Sequence, residues 1–166
     1  MKIKISASVG ELIDKVTILE IKLRAIKDPI KWANCQKDWT QLSETLAEVE
    51  KEAGIHIIDG LHGELADEKV GAYLHLINGL RATNQKLWDI EDEIRVLEAE
   101  NIPMQLDIAL FEMNAGALGI EDMAKARRFI ELARLVYITN DQRCKLKKGL
   151  DILLGSELTE EKGYKA

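Results

Sequence analysis

Proline and cysteine are each represented only twice in 166 residues, aromatic side chains make up 5%, and no apolar run approaches the length of a membrane span. The two cysteines, Cys35 and Cys144, are far apart and form no CxxC or other ligand spacing. That excludes a disulfide framework and a zinc knuckle and fits a reducing cytosol. Without 18 or so uninterrupted apolar residues no membrane span is expected, and the opening Met1-Lys2-Ile3-Lys4-Ile5 lacks the apolar core of a signal peptide. A cytoplasmic protein is the expectation. Positive charge is also in short supply. A formal net charge of -6 and a pI near 5.2 argue against nucleic acid as the main partner, since such binding needs many phosphate-neutralising Lys and Arg contacts. The one dense basic patch, Arg143 to Lys148, reads as a solvated helical face near a C-terminus.

What the sequence does contain is helical periodicity. With 46% apolar and 31% charged residues the chain has the balance of a folded domain, and a single domain over residues 1–166 is expected. Pro29 and Pro103 stand between periodic segments as punctuation. Residues 2–6 alternate enough to permit a short strand or extended arm. Ser8-Val9-Gly10-Glu11 is a capping box, and from it Val9, Leu12, Val16, Leu19, Leu23 and Ile26 step by three and four. After Pro29 the same stepping resumes through Trp32, Cys35, Trp39, Leu42, Leu46, Val49 and Ala53. Residues 9–27 and 30–53 therefore predict an antiparallel helical hairpin with a dry, regular seam, the first two tryptophans lying on it. Residues 54–66 predict a packed apolar loop, 67–101 a third helix, 104–119 a short helix, 121–154 a fourth long helix, and 156–166 a polar tail. The fold class is all-α, with long antiparallel hairpins forming a bundle.

The informative anomaly is polar residues within the stripes of the two later helices. Asn84 and Glu91 take seam positions in the third helix, with Arg81, Trp88, Asp92 and Arg95 beside them; Asn140, Arg143 and Lys147 do so in the fourth, flanked by Arg134, Tyr137 and Asp141. If these helices pair antiparallel about a turn near residue 111, Arg81 faces Asp141, Glu91 lies near Arg134, Asn84 is level with Asn140, and Asp92 and Arg95 approach Arg127 and Arg128. Two readings follow. Either the groups are ion pairs that fix register inside the bundle, or surplus guanidinium and ammonium groups hold a small anionic ligand. The candidate ligand set is then Asn84, Glu91, Arg95, Arg134, Asn140, Asp141, Arg143 and Lys147.

A second candidate cluster is Glu11, Asp14 and Lys15, beside Thr17, in the first helix. Carboxylates three residues apart share a helical face, a spacing that some all-α nucleotide pyrophosphatases use to hold magnesium. Such enzymes need a second acidic pair on a facing helix, and the only Glu-x-x-Glu match, Glu157 to Glu160, lies beyond the fourth helix. Capping is the better account of Glu11. His56, His62 and His75, with Asp59 or Glu64, match no ligand motif, so no metal site and no cofactor are expected.

Ser8-Val-Gly-Glu-Leu-Ile-Asp-Lys15, Thr17-Ile-Leu-Glu-Ile-Lys22, Leu87-Trp-Asp-Ile-Glu-Asp-Glu-Ile-Arg95, Ala133-Arg-Leu-Val-Tyr137, Asn140-Asp-Gln-Arg143, Leu146-Lys147, Leu153-Leu-Gly-Ser156 and Glu160-Glu-Lys162 together resemble a bacterial family of small helical proteins catalogued as a domain of unknown function. The resemblance spans nearly the whole chain and implies a helical fold in a bacterial cytoplasm. A fainter likeness, through Ile13-Asp14, is to the helical chorismate mutases; the chain lacks their regular arginine placement in the first helix, which leaves an analogy of fold. The expected function is self-association or binding of a protein partner, without nucleic acid or membrane. The alternative is a binder or enzyme for a small anionic metabolite at the seam of the third and fourth helices.

Overall fold

The computed structural model describes residues 5–55, 68–102 and 120–159. Among these residues the regular structure is four long helices, α1 (Val9–Ala25), α2 (Pro29–Glu52), α3 (Glu68–Ala99) and α4 (Ile120–Leu154), and no strand. The all-α class is as the periodicity requires, and each helix ends within two residues of its expected bounds. The short helix expected at 104–119, most of the apolar loop and of the tail, residues 1–4, and His56, Asp59, His62, Glu64 and Glu160 lie outside the described residues.

Local chemistry explains the boundaries. Ser8 caps α1, its Oγ accepting from the Glu11 amide at 3.3 Å. Asp28 caps α2, with Oδ1 accepting from the Ile30 and Lys31 amides at 3.0 and 2.9 Å, and Pro29 occupies the first helical position, where its missing N–H costs nothing. The Trp32 indole donates to the Leu23 carbonyl at 3.1 Å and ties the start of α2 to the end of α1. α2 and α4 stop in the same way. Gly54 and Gly155 take left-handed backbone (φ 71° and 69°), and the amide beyond each reaches back five residues, Ile55 to Glu50 and Ser156 to Asp151, both at 2.8 Å.

The described residues fall into two compact units, Met1–Gln85 with Gln142–Ala166, and Lys86–Asp141. The first, unit A, has a core of Ile13, Val16, Leu46, Ile55, Tyr73, Ile77, Leu80 and Leu150. Tyr73 is fully buried and its hydroxyl donates to Glu50, while Lys69 donates to the Ala53 carbonyl at 2.5 Å, so the start of α3 is anchored on the end of α2. Within this unit α3 and α4 run antiparallel, with Gly79 opposite Leu146 and Leu76 opposite Gly149. That register is shifted by about three residues from the one expected for a turn near residue 111. The second unit, unit B, buries Ile90, Leu97, Ile102, Ala126 and Leu132, with Phe129 and Val136 packed against them.

The stepped positions of the α1 and α2 hairpin do pack, with Val16, Leu19 and Leu46 buried and Trp39 and Leu42 half-buried, but the seam is open at its start. Trp32 is 41% exposed, and among the described residues of α2 only Leu46 is buried. α1 is instead buried on more than one face. Beside Val16 and Leu19 it buries Ile13, Asp14, Thr17 and Ile21, and that second face carries the polar groups.

Candidate functional site

The polar groups of unit A form a ladder between α1 and α4, with one rung from α3. α4 presents Arg143, Lys147 and Asp151 at spacings of four, which places them on one helical face. α1 answers with Asp14, the Glu11 side chain and the Gly10 amide. The Arg143 guanidinium grips Asp14 as a fork, Nε to Oδ1 at 2.8 Å and Nη2 to Oδ2. Lys147 pairs with Glu11. Asp151 Oδ1 accepts from the Gly10 amide at 2.6 Å, and Ser156, held in place by the Gly155 turn, accepts from the Val9 amide at 3.2 Å. The amides that open α1 are thus capped by its own Ser8, by Asp151 of α4 and by Ser156 just beyond the end of α4.

Such closeness depends on Gly10. A Cβ there would lie 2.5 Å from the Lys147 carbonyl oxygen and 3.0 Å from Asp151 Oδ1, so any larger residue pushes α1 away from α4.

The α3 rung is Asn84. Its Nδ2 donates to Asp14 Oδ1 and to Thr17 Oγ1, both at 2.9 Å, while the Thr17 hydroxyl donates to the Asp14 carbonyl at 2.9 Å. The amide nitrogen must face those oxygens, and Asn84 Oδ1 is then buried without a donor. Asp14 is 1% exposed, Asn84 4% and Lys147 6%, so this is an internal network. The pKa of Arg143 is raised above the ordinary arginine value, chiefly by its hydrogen bond to Asp14 and against the opposing effect of burial, which leaves it a fixed cation.

The residues singled out by sequence are therefore redistributed. Asn84, Arg143 and Lys147 do come together, but around Glu11 and Asp14; part of the first candidate set and part of the second make one cluster. Glu11 serves an ion pair rather than reaching back as the carboxylate of a capping box. Lys15 is exposed and lines a separate groove of about 430 Å³ between α1 and α2, with Lys22 and Asp38. Arg81 pairs with Glu20 at 2.9 Å, within unit A.

Glu91, Arg95, Arg134, Asn140 and Asp141 belong to unit B. There Arg95 bonds Glu91 and Asp92 along its own helix, both at 3.1 Å, and all three are exposed. Arg128 forks onto Glu93 at 2.7 and 2.8 Å, and Lys125 bonds Glu100 at 2.9 Å. Arg134 and Asp141 are exposed and Asn140 is half-buried. His75 is exposed on α3, and among the described residues no three His, Cys, Asp or Glu side chains cluster as metal ligands.

Sequence reasoning missed Gly10, Asp151 and Ser156. The signal for Asp151 was present: a charged residue four positions beyond Lys147 and eight beyond Arg143, continuing one face. No family model, curated protein or solved structure matches the chain.

Proposed function

We propose that the chain is a non-catalytic helical protein that acts by self-association or by binding a protein partner, its polar seam setting helix register. One observation carries this reading: Arg143 and Lys147, the two cations of the candidate anion set that lie on the seam of unit A, each hold a carboxylate of α1. A bound phosphate or dicarboxylate would have to displace Glu11, which is 30% exposed, or Asp14, and stripping the buried Asp14 of its guanidinium costs several kcal/mol. The buried groups without a hydrogen-bond partner include Asn84 Oδ1 and Asp151 Oδ2, both acceptors that repel an anion. No helix among the described residues is long and apolar enough to cross a membrane. The same reading places the chain in the cytoplasm and with the bacterial helical family that its sequence blocks resemble.

The test is a thermal-shift panel of phosphorylated sugars, nucleotides and dicarboxylates, with and without magnesium. A ligand at about 100 times its dissociation constant adds about 2.7 kcal/mol of stability, a readily visible shift. None is expected. A shift that disappears in Arg143→Met would overturn the reading in favour of a small-anion site.

A further inference from the structure

The outer face of α4 in unit B carries a stripe that the fold does not use. Met123, Arg127, Ile130, Arg134 and Tyr137 follow one another at spacings of four and three, with Ile138 beside the last, and all six are exposed. The four apolar members retain 46% to 55% of their surface to solvent. Residues stepping in this way form one nearly straight line on a helix, opposite in direction to the buried Leu132. From Met123 to Ile138 the line is about 22 Å long at 1.5 Å per residue, or four turns.

The two arginines on this line distinguish it from ordinary exposed apolar surface. Arg81, Arg95, Arg128 and Arg143 each hold a carboxylate, and Arg24 holds the Gln85 amide. Arg127 and Arg134 alone among the described arginines hold neither, although the chain has 29 acidic residues against 23 Lys and Arg. Among the described residues of an acidic protein, two guanidiniums hold no carboxylate and stand between four apolar side chains.

We infer that this stripe docks an acidic amphipathic helix of a protein partner, whose apolar seam covers Met123, Ile130 and Tyr137 and whose Asp or Glu side chains reach Arg127 and Arg134. The inference rests on the partner-binding reading above and gives it a surface and a chemistry. Charge chooses the occupant. A second copy laid on the same stripe in parallel would set each arginine against itself. Laid antiparallel about Ile130, it would bring Arg127 of one copy beside Arg134 of the other, again like against like. An acidic helix offers a carboxylate to each guanidinium and buries the same apolar line, the helix-in-groove mode of recognition.

The experiment uses the full chain and two synthetic 20-residue helical peptides with the same leucine seam, one flanked by Glu and the other by Lys. Binding is read by fluorescence anisotropy in moderate salt. The Glu-flanked peptide should bind at least tenfold more tightly. Ile130→Glu should abolish binding, and Arg127→Glu with Arg134→Glu should reverse the preference, while circular dichroism shows each variant folded. Equal binding of both peptides overturns the inference, as does binding that survives these variants. Sedimentation of the chain alone provides a further arm: a dimer that Ile130→Glu dissolves makes a second copy the occupant, and binding to anionic phospholipid vesicles that the same change removes makes it a membrane. Either would overturn the acidic-helix inference. A stripe that binds nothing in a chain that also gives no small-anion shift removes this surface and leaves the broader partner-binding reading standing; a shift that depends on Arg143 removes the broader reading itself.

Discussion

Both units use the same chemistry, arginine and lysine against carboxylate, and differ in where they put it. In unit A the Arg143 side chain is 25% exposed and Asp14 2%, with Lys147 at 7% against Glu11 at 30%. In unit B Arg128 and Glu93 are 45% and 42% exposed, and Arg95 and Glu91 are more exposed still. Water screens the second group and solvates either partner when the other is lost, so such pairs contribute little. Under the surface, the attraction between charges is stronger and desolvation is costly, so a partner left alone is a large liability. The geometry of the Arg128 fork is as good as that of Arg143; burial makes the difference.

The sharpest way to break that contrast is Asp14→Ala. It leaves the Arg143 guanidinium without its acid and takes one of two acceptors from Asn84. We expect a loss of about 3 to 5 kcal/mol in urea unfolding, as for other buried pairs stripped of one member. Replacing Asp14, Asn84 and Arg143 together by Leu, Leu and Met removes the polar groups instead of stranding them and should recover most of that loss. A cost below 1 kcal/mol for Asp14→Ala would mean that the ladder behaves like the surface pairs.

A middle case tests whether burial in unit A acts on a neutral group as well. Tyr73 has its pKa raised well above the ordinary phenol value, first by desolvation and then by its hydrogen bond to Glu50. Above about pH 10 the unfolded chain releases that proton while the folded one keeps it, so the unfolded state binds fewer protons and stability falls as pH rises. The slope from this group approaches about 1.4 kcal/mol per pH unit. Tyr73→Phe should cost about 1 kcal/mol at pH 7 through the lost hydrogen bond, and that deficit should shrink and reverse between about pH 10 and 11. Parallel stability curves for the two proteins across this range would contradict the assignment.

How much of this was legible in the sequence depends on range. The starts of α1 and α2 could be read because Ser8 accepts from an amide three residues on and the ring of Pro29 disfavours helix at the residue before it. The ladder could not, because Arg143 and Asp14 are 129 positions apart and their meeting depends on tertiary register. A shift of about three residues is nearly a full helical turn, enough to exchange every partner while leaving the periodic pattern intact. Gly79 and Gly149 mark the true register, since each leaves room for a leucine of the other helix, but a glycine in a helix does not by itself say which leucine it receives. The error over α1 has a different origin. A step of three and four finds one face of a helix, and α1 has a second buried face on which Asp14 and Thr17 read as ordinary polar surface.

The smallest expected effect lies in unit B. Arg128 holds Glu93 below the ordinary carboxylate pKa chiefly through its hydrogen bonds, so whatever the pair contributes is present above about pH 4.5 and fades as pH falls through the lowered value. Both side chains keep more than two-fifths of their surface in water, and Glu93→Gln keeps the volume and one acceptor. We therefore expect a urea midpoint at pH 7 within replicate scatter of the parent, with any small difference decreasing both below pH 4 and in molar salt. If Glu93→Gln instead lowered stability as much as Asp14→Ala, exposure would not be what separates the two units, and the cause would have to be sought in the fork geometry that Arg128 and Arg143 share.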